Sequence, residues 1–299
     1  MIRTLVRHPV VLTGSFTLCW AVIELVGPAA GVSAYQVVWT RYGVHLLVLG
    51  LLFGRRNGLG LVRSAQPARE VISSLLMLGM PICFLRAAQR MPLRDEMAVF
   101  WVAPVMVVAI ATVVTGQHGG ARTMAAAAAG LLGAVLIYRP DTGVFRPAAG
   151  LALGMAACFA LYLVVVGTMH QDATPTKLFH TAFWVFAALT LMLPRFWHTP
   201  TPRGVLAMVL VGVLGYAGLY ALDVALEATP PAVLAPVLYT QLAWDVLLHA
   251  LLRLPSDAAA PTSATLAGLV LVLAAAGPAL AWRTHAARVV PGVVRGAGA

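Results

Sequence analysis

Charge is scarce in this sequence: Asp, Glu, Lys and Arg supply 10% of 299 residues, against about 25% in an ordinary soluble chain. Too few polar side chains are present to cover the surface of a water-soluble domain of this length. Acidic residues are the scarcer sign, 10 against 20 Lys and Arg. The net charge of +10 does not imply a nucleic-acid partner, because the arginines are spread over loops and run ends without interleaved aromatics. The three cysteines, Cys19, Cys83 and Cys158, all fall within apolar runs, where a thiol acts as a small hydrophobe, so no disulfide or metal framework is expected. Catalytic signatures are missing too. The chain has no His-Glu-x-x-His, Gly-x-Ser-x-Gly, phosphate-binding loop or paired Asp-x-x-Asp, which argues against an enzyme, a resident cofactor or metal, and an ATP-driven pump.

What is present is apolar: 61% of the residues, with a mean hydropathy of +0.89. Runs long enough to cross a bilayer lie near 9–29, 34–53, 71–90, 96–115 and 121–138, and again near 149–168, 177–194, 204–226, 231–252 and 264–283. The expected fold is therefore all-α, a polytopic membrane protein of ten transmembrane helices with both termini on one side. Arg55, Arg56, Arg63 and Arg69 after the second span, with Arg3, Arg7, Arg283, Arg288 and Arg295 at the termini, favour a cytoplasmic location for that side. Arg3, Arg7 and the Val-Ser-Ala at 32–34 have the outline of a cleaved signal peptide. An uncleaved first span accounts for the same residues and fits the repeat below.

Setting the halves 138 residues apart lays MPLRDEMAVFWVAPV at 91–105 over TPPAVLAPVLYTQLA at 229–243, matching Pro92 with Pro230 and Trp101 with Tyr239. An offset of 139 lays Cys19 over Cys158. Because five is odd, the second set of five spans enters the bilayer from the opposite side, giving two inverted five-helix repeats of the kind found in secondary transporters. The expected units are 1–143, 144–285 and a disordered cytoplasmic tail at 286–299.

Over nearly its whole length the chain resembles the EamA branch of the drug/metabolite transporter superfamily. The resemblance rests on TRYGVHLLVLGLL at 40–52, RAAQRMPLRDEMAVFWVAPV at 86–105, ALEATPPAVLAPVLYTQLAWDVLLHALL at 225–252 and TLAGLVLVLAAAG at 265–277. It implies a central cavity lined by the third, fourth, eighth and ninth helices and parts of the first and sixth, opened alternately to each side. The chain departs from the family in having Gly116-Gln117 and Leu254-Pro255 where a Gly-Glu pair is common, and Glu24 where a polar or basic residue is common.

Ionisable side chains within a bilayer are costly, about 2.5–3.5 kcal/mol at a helix centre on the lower scale, and so mark candidate sites. Glu24, Asp223 and Asp245 fall within the first, eighth and ninth spans, with Arg41 and Arg86 in the second and third as natural partners. A carboxyl among these could carry a proton or meet a substrate ammonium; the plainer reading is two fixed ion pairs, Glu24 with Arg41 and Asp223 with Arg86. Trp20, Trp101, Tyr220 and Tyr239 are candidates for an aromatic cavity wall. Gln241, two residues past Tyr239, is expected to face away from it unless Pro236 distorts the helix.

These residues and the resemblance lead to one expectation. The protein is a carrier in the inner membrane of a bacterium, a monomer or homodimer that moves an amino acid or related zwitterion or organic cation by alternating access, with proton-coupled export as one form. Uptake or exchange of a nucleoside-like metabolite such as S-adenosylmethionine is the alternative. A non-transporting membrane subunit is the third. The expected partners are the lipid bilayer, a small-molecule substrate and protons, with no nucleic acid.

Overall fold

Prolines and hydroxyls open most of the helices. The computed structural model describes residues 8–116, 120–252 and 262–282, and the arginines at both ends, Gln117, Leu254-Pro255 and the tail at 286–299 lie outside them. Ten helices long and apolar enough to span a bilayer occur among the described residues: α1 (Pro9–Ala30), α2 (Ala34–Arg55), α3 (Pro67–Ala87), α4 (Leu93–Val114), α5 (Gly120–Tyr138), α6 (Ala149–Gly167), α7 (Thr174–Arg195), α8 (Pro202–Ala228), α9 (Pro231–Leu252) and α10 (Ser263–Trp282). No strand is found among them. Pro9, Pro67, Pro202 and Pro231 start their helices where a missing N–H costs nothing. Ser33, Thr201 and Thr262 accept hydrogen bonds from N–H groups of the first turns of α2, α8 and α10.

Two helices are broken near their middles. α4 is helical over Leu93–Phe100 and again over Ala103–Thr115, with two turn residues between. α9 runs from Pro231–Leu234 through a tighter 3-10 stretch, Ala235–Tyr239, into Thr240–Leu252. Pro104 and Pro236 explain where the breaks fall, since a proline offers no N–H to the carbonyl four residues earlier. Those carbonyls belong to Phe100 and Ala232.

The packing is a ring of paired helices. α1 lies against α8, α3 against α6, α2 against both α7 and α8, and α5 against α10; α4 and α9 meet at their broken segments. Small residues allow the close approaches, as expected where no aqueous hydrophobic effect drives helices together. On α8, Gly212 faces Val44, Gly215 faces Arg41 and His45, and Gly218 faces Phe16 and Cys19. α5 and α10 cross at Gly133 and Gly268, where a methyl added to either would sit 2.7 Å from the other's carbonyl oxygen. Outward-facing apolar side chains such as Leu51, Val113, Leu206 and Val270, each at least 67% exposed, form a surface suited to lipid tails rather than water.

The link from α5 to α6 is tied down. Asp95, in the first turn of α4, accepts a 2.8 Å hydrogen bond from the Asp141 N–H. Gly143 rests on the same carboxylate, where any side chain would collide.

Candidate functional site

At the level of the two breaks, Phe16 and Trp20 of α1, Met80 of α3, Phe100, Trp101 and Pro104 of α4, Phe159 of α6, and Leu238 and Gln241 of α9 surround a cavity. It is nearly closed, about 10 Å3, room for about one water molecule. α8 supplies none of these wall residues. It stands behind α1 and α2 instead, a departure from the lining that the family resemblance implies.

Tyr239 proves to be a brace rather than a wall. It is fully buried, packs on Gly130 of α5, lies 5.6 Å from the Trp101 ring, and donates through its hydroxyl to the Trp101 carbonyl at 2.9 Å. Trp101 faces the cavity, and its indole N–H has no hydrogen-bond partner. The 3-10 stretch resolves the difficulty with Gln241. It re-aims the helix so that Gln241 reaches the cavity and α1, while Tyr239 turns to α4.

Glu24 is the acid beside this cavity. Its Oε1 accepts from the Trp20 indole N–H and from the Gln241 Nε2, both at 3.0 Å. Trp20 is one turn earlier on the same helix, the spacing at which helical side chains meet. Asp245 lies one turn beyond Gln241, close enough to Glu24 for the two charges to act on one another, and its Oδ2 is unpartnered. Glu24 keeps accessible surface, so the cluster is not sealed.

Neither expected ion pair is formed. Arg41 donates to the Tyr42 hydroxyl at 2.9 Å and stacks over the rings of Trp20 and Tyr42, at 5.0 and 4.8 Å. It thus meets the Glu24 cluster through the face of Trp20, as a cation–π contact. Arg86 is exposed in the last turn of α3, far along that helix from Asp223's surroundings. Among the described residues one ion pair is present, Lys177 with Glu227 at 3.2 Å. Tyr220 belongs to the α2–α8 seam, beside Phe53 and Tyr216.

A second polar cluster escaped the sequence reading. Asp223 and Glu70 are 0% and 1% exposed, with no partner on any carboxyl oxygen. Lys177, 2% exposed, and Tyr162 lie beside them. The signal that could have found Glu70 and Lys177 is their place just at the expected span ends.

A protein of known crystal structure aligns with 91% of this chain and 96% of its own, at 21% identity and a TM-score of 0.79. At that identity the likeness establishes a shared fold alone. No family model matches the chain, and no curated protein does.

Proposed function

We propose that the chain is a secondary transporter built as two inverted five-helix repeats, of the EamA type it resembles, carrying a small zwitterion or organic cation by alternating access. The observation that carries this reading is the meeting of two broken helices beside an aromatic cavity with an uncompensated acid at its edge. Broken helices, their free carbonyls turned inward, are how transporters build a mid-membrane site. Packing supports the repeat. Exchanging α1–α5 with α6–α10 turns the α1–α8 contact into the α6–α3 contact and leaves α2–α7, α4–α9 and α5–α10 as they are.

The wall favours a substrate with a flat or apolar part and a positive group. Trp20, Phe100, Trp101 and Phe159 offer ring faces, and Glu24 with Asp245 offers negative charge that no described cation neutralises by an ion pair. At about 10 Å3 the cavity is too small for such a molecule, so transport on this reading requires α4 and α9 to part. The arginine bias of the sequence supports a cytoplasmic side for both termini.

Purified protein in liposomes, assayed with labelled amino acids and amines under a pH gradient, tests the reading. Saturable flux that disappears in Glu24→Gln supports it. No flux, together with no thermal stabilisation by any compound of the panel, refutes it.

A further inference from the structure

The Glu70–Asp223 cluster stands away from the cavity. Asp223 is near the end of α8 and Glu70 in the first turn of α3, both at the face where α1 begins and α10 ends. Glu24 and Asp245 lie toward the opposite ends of α1 and α9.

Every ionisable group around the pair is accounted for. From α7 comes Lys177, already bonded to Glu227, which also accepts from the Thr174 hydroxyl. From α6 comes the Tyr162 hydroxyl, buried, unpartnered, and facing Asp223 without reaching hydrogen-bond geometry. From α2 come Tyr42 and Arg41, which pair with each other. Asp172, in the α6–α7 loop, acts on Glu70 but is held by the Ser64 hydroxyl and the Ala65 N–H at 2.8 and 2.7 Å. From α1, Cys19 faces Gly218.

The charge balance then decides the state of the pair. Bringing an ion out of water costs several kcal/mol unless a counter-charge and hydrogen bonds offset it. Here one lysine serves three carboxyls, Glu70, Asp223 and Glu227, and its close contact is with Glu227. Two sealed carboxyls with four empty oxygens are left over. A metal ion is a poor alternative, since no group of three or more His, Cys, Asp and Glu among the described residues could hold one.

A vestibule of about 480 Å3 opens on the same face as the cluster, its wall including Arg69, Thr168, His170, Glu227 and Thr229. Arg69 precedes Glu70 in α3. Glu227 lies one turn past Asp223, so the residue that carries Lys177 also lines the vestibule.

We propose that Glu70 and Asp223 form a proton-binding site, separate from the substrate cavity, that is loaded through this vestibule when the Lys177–Glu227 bridge opens. The step is protonation of each of the two carboxylates at one oxygen by protons from the vestibule, with no other bond made or broken. The site would supply the coupling proton for the transport reading and rests on that reading for its purpose. Its existence, however, can be measured with no substrate.

The experiment is infrared spectroscopy of the full-length protein in liposomes, following the carbonyl stretch of protonated carboxyls through a pH titration. The wild type is expected to show a band that decays as the pH rises. Asp223→Asn and Glu70→Gln should each lose one carboxyl's share of it, and the double variant both shares. Circular dichroism establishes folding, and if Asp223→Asn fails to fold, Glu70→Gln decides alone. A folded variant that keeps the full wild-type band overturns the proposal. So does displacement of the band by sodium at constant pH, which would make the site one for a metal cation. Absence of flux in the transport assay, with the band behaving as expected, would sink the carrier reading and leave the proton site standing.

Discussion

The hydroxyl of Tyr239 donates to the main-chain carbonyl of Trp101 across 138 residues of sequence, joining the breaks of α4 and α9 at 2.9 Å. The interruption of α4 exposes backbone acceptors in a medium without water, where an unsatisfied group costs several kcal/mol. Tyr239 reaches one of them because its own segment is wound more tightly and because Gly130 leaves room for its ring. The bond therefore ties the two breaks together behind the cavity wall.

Tyr239→Phe removes this bond and keeps the ring. Side-chain hydrogen bonds between membrane helices average about 0.6 kcal/mol and reach about 1.7; loss of a buried partner puts this one toward the upper end. The expected result is a lower midpoint in thermal unfolding of the detergent-solubilised protein, with an unchanged helical spectrum. An unaltered midpoint would mean that the Trp101 carbonyl is satisfied by another group.

Gly133 and Gly268 make a different kind of contact, backbone against backbone. Gly133→Ala forces α5 and α10 apart, since the methyl meets a carbonyl oxygen at 2.7 Å, and overpacking of this sort costs about 1–3 kcal/mol. Gly150→Ala, where nothing lies within 4 Å, serves as the control and should be neutral. The comparison is made by thermal unfolding of the two variants side by side.

Lys177 and Glu227 are unequally buried, 2% against 41% exposed by side chain. Water at Glu227 screens the pair, so its coupling in a double-mutant cycle of Lys177→Met and Glu227→Gln is expected near about 1 kcal/mol, the upper end for exposed pairs. Lys177→Met alone should cost more than the coupling if Lys177 also supports the unloaded, charged form of Glu70 and Asp223, on which its charge acts. Equal losses would show that Lys177 serves Glu227 alone.

The ten helices were legible because twenty-residue apolar runs have few alternative folds. The polar interior was legible only where charges sit well inside those runs, as with Glu24, Asp223 and Asp245. Glu70 and Glu227 were missed because each lies one residue outside an apolar run, the expected third span beginning at 71 and the eighth ending at 226, while Lys177 opens the expected seventh span and reads as a run-end cation. The helices themselves run on, to Pro67, Thr174 and Ala228, because backbone hydrogen bonding continues through residues that the neighbouring helices bury. Partners were harder to foresee than positions. Arg86 is one residue from Asp223's equivalent in the repeat, yet it sits in the last turn of α3 while Asp223 lies beside Glu70 in the first, since inverted halves carry equivalent positions toward opposite faces. The 3-10 stretch before Gln241 likewise turned a residue read as facing away into the one that reaches Glu24.

Glu24→Gln separates charge from structure at the cavity. Glutamine keeps an Oε1 that can accept from the Trp20 and Gln241 N–H groups, so the bond pattern survives and the fold should too. What is lost is the negative charge at the edge of an aromatic cavity, and with it the attraction for a cationic group. For a substrate bound through its ammonium, loss of a charge-assisted contact of about 1.5–3 kcal/mol weakens binding by about ten- to a hundredfold. Glu24→Asp keeps the charge but withdraws it by one methylene, so it should recover part of the affinity without restoring both bonds. The measurement is substrate-dependent flux in liposomes together with thermal stabilisation by the same compound. If Glu24→Gln transports as the wild type does while Asp245→Asn does not, the acid that meets the substrate is Asp245, and Glu24 serves to hold Gln241 in place.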